Sequence, residues 1–101
     1  MGMQNKYIEK LNQLVLAVLA GEDVKIILFG SRARGEGRVT SDVDIGLIPY
    51  GKIDKRKLLF LEEKIEELNI PYKVEIVNFL QVSADFKREA MKGAVVWKDW
   101  N

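Results

Sequence analysis

The sequence contains no cysteine and no histidine in 101 residues. Without cysteine there is no disulfide framework, no cysteine-ligated zinc and no catalytic thiol. Without histidine there is no serine–histidine triad, no histidine-ligated metal and no imidazole acid–base catalyst. Any chemistry must use carboxylates, hydroxyls, Lys, Arg, Tyr or the backbone. An excess of one charge is missing too: 16 basic residues face 15 acidic ones, for a net charge of +1. Bulk electrostatics therefore do not favour nucleic acid as the main partner. No apolar run approaches the length of a membrane span. The start, Met1-Gly2-Met3-Gln4-Asn5-Lys6, has no hydrophobic signal region. The expected location is the cytoplasm, with no membrane partner.

What is present is a globular composition, 48% hydrophobic and 31% charged. At this length it predicts one domain spanning residues 1–101 with one core. No repeat, linker or low-complexity stretch interrupts it. Tyr7, Ile8, Leu11, Leu14, Val15, Val18 and Leu19 recur at helical spacing and predict a helix over about Asn5–Ala20, stopped at Gly21. Val24–Phe29 is a short β-branched run that predicts a buried strand. Gly30–Gly37, with three glycines among arginines, predicts a loop or short helical turn.

Asp42–Ile48 alternates, with Val43, Ile45 and Leu47 on an apolar face and Asp42, Asp44 and Gly46 on the other. Pro49-Tyr50-Gly51 predicts a turn. Asp54 is placed to cap a helix striped with Leu58, Leu61, Ile65 and Leu68, which Asn69 and Pro71 end. Tyr72–Asn78 predicts a third strand, and Ser83 caps a last helix to about Lys92, with Gly93 as its stop. Val95, Val96 and Trp97 form a short extended tail. The order is α-β-(α)-β-α-β-α, a two-layer α/β fold with a small mixed sheet of three to four strands.

Three features point to chemistry. Gly30-Ser31 directly follows a buried strand. Glycine lets a ligand approach the backbone, and a helical turn starting at Ser31 favours an anion such as a phosphate. Taken alone, the pair describes a strand-ending turn with a serine cap. Asp42-Val43-Asp44 puts two carboxylates on one strand face, where they repel unless a cation lies between them. Hard oxygen ligands suit Mg²⁺, which takes a few carboxylates plus substrate phosphates. Glu75 sits on the third strand, opposite its apolar neighbours. If that strand lies beside the second, three carboxylates converge on one cleft. Asp54 and Asp85 read better as a helix cap and a first-turn charge.

Together these residues resemble the nucleotidyltransferase superfamily that includes DNA polymerase beta and kanamycin nucleotidyltransferase. The shared pattern is Gly30-Ser31, a spacer of about ten residues, then Asp42-Val43-Asp44, and a carboxylate on a later strand. The longer strings Phe29-Gly30-Ser31-Arg32-Ala33-Arg34-Gly35 and Ser41-Asp42-Val43-Asp44-Ile45 are similar to the minimal nucleotidyltransferases. The resemblance is specific over Leu28–Leu47 and looser elsewhere. It implies that Gly30 and Ser31 hold the β- and γ-phosphates of ATP. Asp42 and Asp44 then bind Mg²⁺, and Glu75 binds a second Mg²⁺ and acts as base. Arg32 and Arg34 lean on phosphates. The family's third carboxylate is usually Asp, so Glu75 is a departure that reaches about one methylene further, in a chemistry sensitive to about an ångström.

The implied reaction is transfer of AMP from ATP to an acceptor hydroxyl. By the same resemblance, the acceptor is a tyrosine of a helical HEPN-type toxin, and this chain is the antitoxin. Three alternatives stay open: a non-catalytic binding module that neutralises a partner, an aminoglycoside-type enzyme working as a homo-oligomer, and a nucleic-acid-directed transferase. Only the cluster Lys52, Lys55, Arg56 and Lys57 supports the last, and Glu62, Glu63, Glu66 and Glu67 balance it. Trp97 and Trp100 near the end suit either an interface or packing on the sheet.

Overall fold

The computed structural model describes residues 6–35 and 42–100. Residues 1–5, 36–41 and 101 lie outside the described residues, and with them the later part of the spacer, including Gly37 and Ser41. The chain forms two compact units, one of residues 6–22 and 53–70, the other of residues 23–52 and 71–100 as far as they are described.

The first unit is helical. Helix α1 spans Lys6–Val18 and α3 spans Lys55–Glu67, and the two pack on each other. The buried residues Leu11 and Val15 on α1, with Leu19 just beyond it, and Leu61 and Ile65 on α3 recur every four residues, the period of one helix face. Asp54 caps α3 by accepting from the Arg56 backbone N–H at 2.9 Å. The Arg56 side chain also bonds Asp54, which holds that carboxyl below its ordinary value. Lys57 pairs with Glu22 at 2.9 Å and Lys64 with Glu67 at 3.3 Å. Asn69, in the left-handed region at φ 52°, follows the end of α3. An open groove of about 680 Å³ here is lined by Ala17, Val18, Asp54, Arg56, Lys57 and Phe60.

The second unit is a four-stranded mixed sheet. Strands β1 (Val24–Phe29), β2 (Val43–Pro49), β3 (Val74–Asn78) and β4 (Val95–Lys98) take the order β3-β2-β1-β4. The β1–β2 and β1–β4 pairs are antiparallel, and β2–β3 is parallel. A parallel pair needs a long crossover, and the segment containing α3 supplies it. Short helix α2 (Ser31–Arg34) follows β1, as the loop-or-turn reading allows. A 3₁₀ turn at Phe79–Gln81 and helix α4 (Ala84–Met91) join β3 to β4. Ser83 caps α4 by accepting from the Phe86 N–H at 3.1 Å.

The extended tail is a full strand. It pairs with β1, and its register shifts between Ile26 and Ile27. Trp100 donates its indole N–H to the Ile48 carbonyl at 2.9 Å while staying 45% exposed. Pro49 closes β2 rather than opening the turn, opposite Val24.

One expectation about β2 needs correction. Its second face is not polar along its length, because Gly46 and Ile48 are buried there. On that face Ile27, Phe29, Ile48, Phe79 and Ala90 form a core with Val77, Val82, Met91 and Ala94 against it. Glycine carries no polar group, so its place in an alternating string says nothing about water. Here the missing side chain makes room for a ring. A Cβ on Gly46 would lie 2.7 Å from Phe79 Cε1 and 2.9 Å from Ile27 Cγ1. Gly46→Ala is therefore expected to cost about 1–3 kcal/mol by overpacking. A lower urea midpoint at unchanged slope is the reading; a wild-type midpoint would show that the ring yields freely.

Candidate active site

Register builds the site. Phe29 stands opposite Asp44, and Asp44 stands opposite Glu75, so these three residues form one row on one face. The condition set on Glu75, that β3 lie beside β2, is met. The Val43 N–H donates to the Lys73 carbonyl at 2.9 Å and ties the starts of the two strands together. Asp42, exposed, directly precedes β2, two residues before Asp44.

The row marks the boundary between core and water. Toward the C-terminal end of β2 this face is covered by Phe79 and α4. Phe29, Phe79 and Phe86 meet edge to face, with ring centroids 5.4–6.1 Å apart. Asp44 is half-buried at the open end of that aromatic floor. Burial first, then the charges of Glu75 and Asp42, push its pKa above the ordinary 3.8, and Lys73 opposes them. The site therefore concentrates negative charge in a partly dry place, which a cation would relieve.

Gly30 completes this end of the sheet. It is the N-cap of α2, at φ 82° and ψ −163°, a backbone region essentially reserved for glycine. A Cβ here would lie 2.6 Å from Asp44 Oδ2. The bare backbone of Gly30 thus gives the Asp44 carboxylate its space. The Gly30 carbonyl accepts from the Ala33 and Arg34 N–H groups at 3.1 and 3.2 Å. The serine cap of the simpler reading is not what forms: Ser31 is the first residue of the helix, and Gly30 caps it.

Arg32 and Arg34 leave α2 toward opposite flanks. The Arg32 guanidinium lies 4.3 Å from the centre of the Tyr72 ring, just before β3. The Arg34 stem lies against Gly93, where a Cβ would meet its Cγ at 2.8 Å. Sequence reasoning missed Tyr72 as a neighbour of this site and took Gly93 only as a helix stop. Tyr72 left no local signal, since its partner is forty residues away. A glycine just past a helix was visible, but not the side chain that crosses it.

The donor set fits a hard divalent ion, being all carboxylate oxygen. Among the described residues, however, no three acidic side chains are gathered closely enough to hold an ion by themselves. Glu75 is half exposed and stands 3.9 Å from the Lys73 ammonium. Asp42 and Asp44 together with substrate phosphates are the arrangement these residues suit.

Residues 9–99 match the protein family described as polymerase beta, nucleotidyltransferase. The chain is 30% identical over 74 residues to the "probable protein adenylyltransferase MntA" of Haemophilus influenzae, covering 73% of this chain. It spans 65% of that relative's length. Among solved structures, a candidate minimal nucleotidyltransferase superposes with a TM-score of 0.70 at 23% identity, covering 92% of this chain and 95% of that one. A Shewanella oneidensis complex of an MNT antitoxin with a tri-AMPylated HEPN toxin superposes with a TM-score of 0.62 at 16% identity, covering 90% and 71%. These two likenesses are of fold.

Proposed function

The chain belongs to the polymerase beta nucleotidyltransferase family, and on that footing we propose that it transfers AMP from ATP to an acceptor hydroxyl. The observation that carries the proposal is the row Phe29–Asp44–Glu75, with the Asp44 carboxylate occupying the space that Gly30 leaves open. The triphosphate tail lies at Gly30 and Ser31, with Arg32 and Arg34 beside it. Asp42 and Asp44 would hold Mg²⁺, and Glu75 would contribute to a second site. The chemistry that Mg²⁺ would supply when bound there is neutralisation of charge on the triphosphate.

The Glu75 carboxylate accepts the proton of the acceptor hydroxyl. The acceptor oxygen bonds to the α-phosphorus, the bond to the β-phosphate oxygen breaks, and pyrophosphate leaves. Neither cysteine nor histidine is required. We further propose that the acceptor is a tyrosine of a HEPN-type toxin, that this chain is its antitoxin, and that both work in the cytoplasm. The family, the MntA relative and the fold shared with the Shewanella antitoxin support this reading. Among the described residues no helix is long and apolar enough to cross a membrane.

The test uses ATP labelled at the α-phosphate, Mg²⁺, the purified protein and an extract of its source cells. Label on a small protein is expected, and a labelled tyrosine within it identifies the acceptor. An extract in which no protein, nucleic acid or small molecule takes label overturns the transfer reading. The half-exposed Glu75 beside Lys73 then favours a module that neutralises its partner by binding alone.

The base has its own prediction. Glu75→Gln is expected to slow transfer by about 10²–10⁴-fold with ATP binding nearly unchanged. Glu75→Asp should retain more activity than Gln, because it keeps the carboxylate. Transfer by the Gln variant at the wild-type rate would place the base elsewhere.

A further inference from the structure

Helix α2 has only four residues, too few to be stable by its own hydrogen bonds. No side chain caps its start, and Gly35 ends it in the left-handed region at φ 73°. Yet it carries Ser31, Arg32 and Arg34, and its placement decides where those groups stand. Something outside the helix must hold it.

Topology shows what does. In the order β3-β2-β1-β4, α2 leaves the end of β1, and the start of β2, with Asp42 and Asp44, lies between β1 and β3. Tyr72 lies just before β3, two strands over from β1, so its contact with Arg32 joins α2 to the far side of β2. The Arg32 guanidinium ends 4.3 Å from the ring centre. Arg34 goes the other way, to the turn between α4 and β4. Gly93 stands there at φ 72°, without a Cβ that would press on Arg34 Cγ at 2.8 Å and Cδ at 3.3 Å. The two arginines thus straddle the carboxylate end of the sheet, one on each flank.

We infer that Tyr72 and Gly93 are positioning residues: the Tyr72 ring face and the bare Gly93 backbone hold Arg32 and Arg34, and through them α2, across the carboxylate end of the sheet. In this role both act through the two arginines. The inference rests on the reading of α2 as the seat of the triphosphate. It adds that the affinity for that tail is set from the segments leading into the edge strands β3 and β4. The ring face is what matters at Tyr72, so phenylalanine substitutes for it and an aliphatic residue of similar bulk does not.

The experiment compares Tyr72→Phe with Tyr72→Leu in the full chain. Tyr72→Leu is expected to raise the Kd for ATP about 3- to 10-fold, the range of a partly exposed cation–π contact, and to raise KM alike while kcat holds. Tyr72→Phe is expected to stay within about two-fold of wild type on both, since a phenyl face attracts a guanidinium as the phenol does. Amide hydrogen exchange at residues 32–35, read without nucleotide, should speed up in the Leu variant only. Gly93→Ala should also speed this exchange, by displacing the Arg34 stem. If wild type bound no ATP, the triphosphate reading would fail while the exchange data still decided the positioning. Equal exchange in all variants overturns the inference, as does a Phe variant that behaves like Leu.

Discussion

Asp44→Asn is expected to abolish transfer and at the same time to stabilise the folded protein at neutral pH. The loss of rate is on the order of a thousand-fold, about 4 kcal/mol, the scale of removing one pre-organised electrostatic group. The gain in stability follows from linkage. Burial, Glu75 and Asp42 raise the Asp44 pKa above 3.8 in the folded state. Below 3.8 the carboxyl is protonated in both folded and unfolded chains, and it costs folding nothing. As pH rises through 3.8 toward the raised folded value, the unfolded chain ionises more readily, and the folded chain becomes less stable relative to it.

The asparagine variant never ionises, so its advantage grows from near zero in acid to its full size at neutral pH. Urea midpoints of both proteins across this window are the measurement. An asparagine variant less stable than wild type at neutral pH would contradict the electrostatic account. An asparagine variant that transfers AMP at the wild-type rate would remove Asp44 from the mechanism. The two outcomes are independent, which lets a site kept for chemistry at a cost in stability be told from a structural carboxylate.

The second large effect is expected at Gly30. Gly30→Ala forces an L side chain into φ 82° and ψ −163°, a strain on the order of 1–3 kcal/mol. It also sets a Cβ 2.6 Å from Asp44 Oδ2, where one of them must move. The carboxylate is the end of a short side chain and turns away more easily than the backbone does. Strain therefore sets the stability loss, and the displaced carboxylate sets the loss of function. Transfer should fall about a hundred-fold or more even where the variant is fully folded by circular dichroism. Gly46→Ala is the control. It disturbs the same strand through Phe79 and Ile27, away from the carboxylate row, so its damage should appear in stability first. Comparable activity losses in the two variants, once both are folded, would show that Gly30 matters only for packing.

Much of the fold was legible because each signal was local. The four-residue recurrence of Leu11, Val15 and Leu19, the apolar run Val24–Phe29 and the caps at Asp54 and Ser83 each report on neighbours within about a helical turn. Strand β4 was harder. Val95 and Val96 are exposed, and with only four residues the strand gains its identity from pairing with β1. Gly46 misled because alternation measures polarity, and glycine has none. It took Phe79, from a later segment, to turn that position into core.

The candidate site divides in the same way. By itself the sequence excluded cysteine and histidine chemistry, set the carboxylates Asp42 and Asp44 two positions apart at a strand start, and put a glycine with room for close approach after a buried strand. These depend on residue type and on spacings of one or two positions, which backbone geometry converts directly into direction. Only the tertiary structure decided that Glu75 stands beside Asp44, because that needs the parallel pairing of β2 and β3 across a crossover. It alone placed the Asp44 carboxylate in the space at Gly30, and it alone set Tyr72 and Gly93 against the two arginines. Such contacts join residues far apart in the chain, and no periodicity records which distant segments a fold will bring together.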